Sequence, residues 1–232
     1  MPADPTLEVR IRVARPGSGG FTLDATFQAP PGVTILFGPS GAGKSTALGA
    51  IAGIVRPDQG RIALGDQVWF DSAAGLDRPI HRRGVALVFQ SLALFPHLTA
   101  LGNVVYGVDP TRPRSERLAI AARMLERMRV PHLAHRRPRS FSGGEAQRVA
   151  LARAFASSPR VMLLDEPFSA LDRPLREALA ADLRALAADA RIPILHVTHS
   201  EAEARALGDR VVRLVEGRIE AIGRVEDLSR GA

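Results

Sequence analysis

Apolar and polar residues alternate strictly at the start of the chain. Leu7, Val9, Ile11 and Val13 are separated by Glu8, Arg10 and Arg12, and Phe21, Leu23, Ala25 and Phe27 by Thr22, Asp24 and Thr26. A period of two places each set on one face of a half-buried strand. Gly17-Ser18-Gly19-Gly20 between them predicts an antiparallel hairpin. The pattern then changes. Residues 33–37, 85–89, 161–164 and 194–197 are near-continuous apolar runs, as expected of strands covered on both faces. Short strands around 61–64 and 68–70 follow the turn Pro57-Asp58-Gln59-Gly60. Helices are expected over 46–53, about 115–130, 143–156 and 175–188, with Pro110, Pro113 and Pro131 as breakers. The run 161–197 reads as a βαβ unit, and 210–222 as a closing hairpin turning at Glu216-Gly217. The fold class expected is α/β, with a helical insertion between two halves of one core.

At 232 residues the chain has room for one sizeable core and a small inserted subdomain. No apolar run approaches the ~18 residues of a membrane span, and Met1-Pro2-Ala3-Asp4-Pro5 has neither part of a secretion signal. The absence of cysteine excludes a disulfide frame, a thiolate metal site and a cysteine nucleophile. A cytoplasmic location is the default expectation. The net charge of +7 points to an acidic partner: nucleic acid, anionic lipid or a nucleotide. Basic clusters such as Arg136-Arg137-Pro138-Arg139 are short, and aromatics make up only 5% of residues, which argues against base-stacking platforms. No specific nucleic-acid partner is expected.

All but one of the 31 basic residues are arginine. The exception, Lys44, lies in Gly38-Pro39-Ser40-Gly41-Ala42-Gly43-Lys44-Ser45-Thr46. A phosphate-binding loop accounts for it, because a compact ammonium fits between β- and γ-phosphates where a planar guanidinium does not. The segment matches the Walker A pattern, in which backbone N–H groups wrap phosphates and Ser45 offers its hydroxyl to Mg²⁺. The apolar run 161–164 emerges at Asp165-Glu166, a Walker B arrangement: Asp165 stands beside the metal, and Glu166 is placed to polarise a water as general base. A third element is Phe141-Ser142-Gly143-Gly144-Glu145. Ser142 is a good N-cap, and the two glycines free N–H groups at a helix start whose dipole favours an anion. One polypeptide needs only one γ-phosphate cradle; two facing copies use both.

With these elements in place the chain resembles the ATP-binding subunits of ABC transporters over nearly its whole length. The resemblance rests on the Walker A loop, Gln90 after its strand, Ser142-Gly143-Gly144, Asp165-Glu166, Ser169-Ala170-Leu171-Asp172 and His199, in that order. It implies a P-loop (RecA-like) ATPase core with an antiparallel β subdomain and an inserted α-helical subdomain. The core would take 1–90 and 158–232, and the helical part 91–157. It also implies that Gln90 touches Mg²⁺ or the lytic water, that Asp172 lies at a dimer interface, and that His199 hydrogen-bonds the γ-phosphate. Phe21 is the candidate for stacking on adenine, with Arg15 a weaker one. The family's signature most often reads Leu-Ser-Gly-Gly-Gln; here Phe141 and Glu145 replace its ends. Glu145 would add an anion near another subunit's phosphates, so its side chain is expected to point elsewhere.

Leu94-Phe95-Pro96-His97-Leu98-Thr99, Gly102-Asn103 and Tyr106-Gly107 resemble importer ATPases for inorganic ions and small solutes. The stretch from Asp71 to Gly84 is most similar to molybdate importers, with sulfate, ferric iron and polyamine importers as alternatives. The implied partners are transmembrane permease subunits, a second copy of the chain in a head-to-tail homodimer and, indirectly, a solute-binding protein. The implied cofactors are ATP and Mg²⁺, and the implied place is the inner face of the cell membrane. Many such ATPases carry a C-terminal oxyanion-binding regulatory domain; with the chain ending at Ala232, that function is expected to be absent. A DNA-maintenance ATPase of the related head type would need coiled-coil arms for which there is no room, and a ribosome-acting relative normally carries two cassettes.

Overall fold

The computed structural model of the protein describes residues 5–14, 20–168, 171 and 173–226. Strands β1 (Leu7–Ala14), β2 (Thr22–Ala29), β3 (Gly32–Phe37), β4 (Gln59–Leu64), β5 (Gln67–Asp71), β6 (Leu76–Asp77), β7 (Val85–Val88), β8 (Val161–Asp165), β9 (Pro193–Thr198), β10 (Arg210–Val215) and β11 (Arg218–Arg224) join in one sheet. Its order is β6-β5-β4-β1-β2-β11-β10-β3-β9-β8-β7. One half, β6 to β2, is antiparallel; β10, β3, β9, β8 and β7 run parallel.

The two halves follow from their side-chain patterns. In β1 burial alternates along the whole strand, one face packing and the other meeting water. In β8 and β9 every apolar residue is buried, because both faces are covered. Val161, Leu163, Leu195 and Val197 point into a core shared with β1, β2 and helix α1 (Lys44–Ala52). Met162, Leu164 and Ile194 point into a second core with α2 (Ala100–Gly107), α3 (Arg114–Arg127), α4 (Gly143–Ala156), α5 (Arg173–Ala190) and α6 (Glu201–Leu207).

Helix α2 goes beyond what periodicity predicts. Gly102, Val104, Val105 and Gly107 are poor helix formers, yet the segment packs on α4 with Ala100 and Val104 fully buried. Thr99 caps its start by accepting from Gly102 N–H at 3.1 Å. Buried Asn103 ties the preceding loop down: its carbonyl accepts from Phe95 N–H at 2.8 Å, and its amide donates to the Phe95 carbonyl at 3.1 Å. Helix α1 starts at Lys44 rather than 46, with Gly43 as its cap.

The parallel register sets up the site. Phe37 of β3 is level with Thr198 of β9, Val197 with Asp165 of β8, and Leu164 with Val88 of β7. The loops holding residues 38–46, His199, Glu166 and Gln90 therefore leave the same edge of the sheet.

Candidate active site

The loop after β3 is shaped by close packing. Gly43 sits at φ 101°, a backbone that strains any side chain, and a Cβ there would lie 2.9 Å from Phe21 Cζ. Lys44 is 5% exposed, and its Nζ donates to the carbonyls of Gly38 and Pro39, each at 2.8 Å. Burial pushes its pKa down, against the pull of the Glu166 and Asp165 charges. A cleft of about 440 Å³ opens here, lined by Phe21, Ser40, Gly41, Gly43, Lys44, Ser45, Thr46 and Glu166.

Strand β8 delivers the acids. Ser45 Oγ donates to Asp165 Oδ1 at 3.2 Å. Burial raises the Asp165 carboxyl, the Ser45 hydrogen bond and the Lys44 charge oppose the rise, and neighbouring Glu166 adds to it. A hydroxyl beside a carboxylate is a pair of hard oxygen donors of the kind Mg²⁺ takes. Glu166 adopts φ 45°, a conformation uncommon outside glycine, and its N–H donates to the Val197 carbonyl at 3.1 Å. That turn directs its carboxylate to His199, whose Nδ1 lies 3.1 Å from Glu166 Oε1. Gln90, exposed just past β7, stands on the same edge.

Ser142, Gly143 and Gly144 form a separate helix start; none of them lines the cleft of Lys44. Ser142 Oγ accepts from Glu145 N–H at 3.3 Å, and Glu145 returns a carboxylate oxygen to Ser142 N–H at 2.7 Å, a reciprocal capping box. A Cβ on Gly144 would meet Leu175 Cδ2 at 2.2 Å, so any larger residue there would have to displace that side chain of α5. Among the described residues, a Cβ on Gly143 would meet nothing within 4 Å. Ser169, Ala170 and Asp172 lie outside the described residues, as does Arg15.

A family model described as ABC transporter matches residues 23–169. The chain belongs to the ABC transporter family. Among curated ABC proteins, the molybdenum import ATP-binding protein ModC of Rhizobium meliloti (strain 1021) is 42% identical over 221 residues, which cover 94% of this chain and 59% of that protein. ModC 1 of Azotobacter vinelandii is also 42% identical, over 98% of this chain and 62% of its own length. The chain thus spans about three fifths of these relatives. Among solved structures, the dimeric bacterial ABC transporter cassette MJ0796 superposes with a TM-score of 0.79 at 26% identity, covering 95% of this chain and 98% of that one. A dimeric post-hydrolysis state of the same cassette, bound to ADP and Pi, gives 0.78.

Around the ABC motifs lie supporting residues that no motif reveals. Glu203 of α6 accepts from Thr198 Oγ1 at 2.7 Å and lies 3.4 Å from His196 Nε2 and 3.5 Å from Arg176 Nε. Arg176 in turn donates to the Leu171 carbonyl at 2.8 Å. This buried cluster joins the segment before Asp172 to the strand end that carries His199. Arg83, 1% exposed, donates to the Ala50 and Ile51 carbonyls at the end of α1 and pairs with Asp77 at 2.9 Å. Ser200-x-x-Glu203 was a readable helix-start signal for α6; the partners of Arg83 and Arg176 are set only by tertiary packing.

Proposed function

We propose that this chain is the ATP-hydrolysing subunit of an ABC importer, driving an inorganic oxyanion such as molybdate through a membrane permease. The observation that carries the ATPase reading is the gathering of Lys44, Ser45, Asp165, Glu166 and His199 around one cleft at the edge of adjacent parallel strands. Lys44 exchanges the carbonyls of Gly38 and Pro39 for β- and γ-phosphate oxygens. Ser45 and Asp165 would hold Mg²⁺, with Gln90 as a further ligand, and the ion would supply positive charge that offsets the charge of the phosphates. Glu166 takes a proton from water as its oxygen bonds to the γ-phosphorus and the bridging P–O bond to ADP breaks. His199 orients Glu166 and donates to the departing phosphate. Phe21, which also borders a neighbouring cavity of about 520 Å³ with Arg12, Asp24, Glu216 and Arg218, stacks on the base.

Two copies close head to tail, each completing the other's site with Ser142, Gly143 and Gly144, while Asp172 lies at the interface. The dimeric cassette with 0.79 TM-score supports this reading. Residues 91–157 serve as the helical subdomain that docks the permease, and 1–90 with 158–232 as the core. The names of the ModC relatives support molybdate; sulfate, ferric iron and polyamine importers are the alternatives. Two measurements test the proposal. Glu166→Gln is expected to lower ATP turnover on the order of 10²–10⁴-fold while MgATP still binds; unchanged turnover removes Glu166 as the base. With the permease reconstituted, molybdate-loaded binding protein is expected to stimulate ATPase activity above sulfate-, iron- or polyamine-loaded ones.

A further inference from the structure

The fifth residue of the signature, where this chain departs from the commonest family pattern, has a partner. Glu145 Oε2 accepts from Ser142 N–H at 2.7 Å, and Glu145 Oε1 lies 3.2 Å from His132 Nε2. His132 sits in the turn Pro131–Leu133 that follows α3. The Ser142 N–H, and next the His132 ring, hold the Glu145 carboxyl below the usual glutamate range. Arg136, whose charge also lowers it, donates to the Ser140 carbonyl at 2.8 Å.

An acid in the first turn suits the helix dipole, but it is the wrong charge for a helix end that must meet a triphosphate. The cap itself does not require that charge, since a glutamine can accept from the same N–H. The carboxylate must therefore be kept turned away, and His132 is the side chain in hydrogen-bond contact with its second oxygen. We propose that His132 is a positioning residue of the signature: through its ring nitrogen it holds Glu145 back against Ser142, so that the carboxylate stays turned away while Gly143 and Gly144 present their N–H groups to the other subunit's γ-phosphate. This inference rests on the shared-site reading above.

The test is a double-mutant cycle on the full chain with MgATP: wild type, His132→Gln, Glu145→Gln and the double variant. His132→Gln is expected to raise KM for ATP roughly three- to tenfold, the scale of one uncompensated charge near the surface, with kcat nearly unchanged. That penalty should shrink as salt is raised, and it should vanish when Glu145→Gln is also present. Equal thermal midpoints across the four proteins exclude a folding effect as its source. A penalty of the same size in both backgrounds, or none in either, overturns the proposal. The shared-site reading is judged separately: an active, monomeric Ser142→Arg protein overturns it, whereas an inactive one together with an additive cycle overturns only the role of His132.

Discussion

At the scale of single residues, the fold spends buried polar contacts where the site needs rigidity. Lys44 is held by two carbonyls of its own loop, so its ammonium is pre-placed and only partly desolvated when phosphates replace them. Lys44→Arg keeps the charge, yet the forked guanidinium cannot enter the same slot. MgATP affinity is expected to fall at least about tenfold, measurable by calorimetry. Glu203 gives a pH prediction. Burial alone would raise its carboxyl, but His196, Thr198 and Arg176 outweigh burial and hold it below the ordinary value. Its folded-state pKa is thus lower than in the unfolded chain. The carboxylate stabilises the fold above about pH 4.3, and that contribution is lost as pH falls through this value toward the folded-state pKa. Urea midpoints should therefore drop between about pH 5 and 3, and Glu203→Gln should flatten that drop while lowering stability at neutral pH.

At the scale of elements, glycines mark where helices touch. A Cβ on Gly107 of α2 would lie 2.3 Å from the Arg153 backbone carbonyl of α4. Gly107→Ala must push the two helices apart, at an expected cost of about 1–3 kcal/mol in urea unfolding. Gly143 is the opposite case. Among the described residues alanine there meets nothing within 4 Å, so Gly143→Ala should leave the thermal midpoint in place. ATPase activity should nevertheless fall if, as proposed, the open space is where the other subunit's phosphate approaches; full activity would place that phosphate elsewhere. Most elements were legible beforehand for a simple reason: β1, β2 and α5 carry the periodicity their burial requires. Helix α2 was not, since its glycines and β-branched residues favour no helix, and packing on α4 and α3 supplies the burial that makes it one. The two-residue strand β6 is too short to show a period at all.

At the scale of the whole molecule, the two elements proposed to bind phosphate do not line a common cleft. The proposed head-to-tail closing of two copies would bring them together. Ser142→Arg should block closure, giving a protein that runs as a monomer with MgATP in size-exclusion chromatography and does not turn over. Glu166→Gln with MgATP should run as a dimer, because binding favours the closed state and hydrolysis cannot release it. The motifs themselves were legible in sequence alone: a lone lysine after a glycine-rich turn, two acids at the end of an apolar run, and a serine before paired glycines each need particular residue types at short spacing, and local chemistry is written in adjacent positions. Tertiary structure decided which distant side chains serve them. Glu166 finds His199 across 33 residues of chain, and Ser45 finds Asp165 across 120, because neighbouring parallel strands end level with one another. His132 finds Glu145 through the turn after α3, and no local pattern records that meeting.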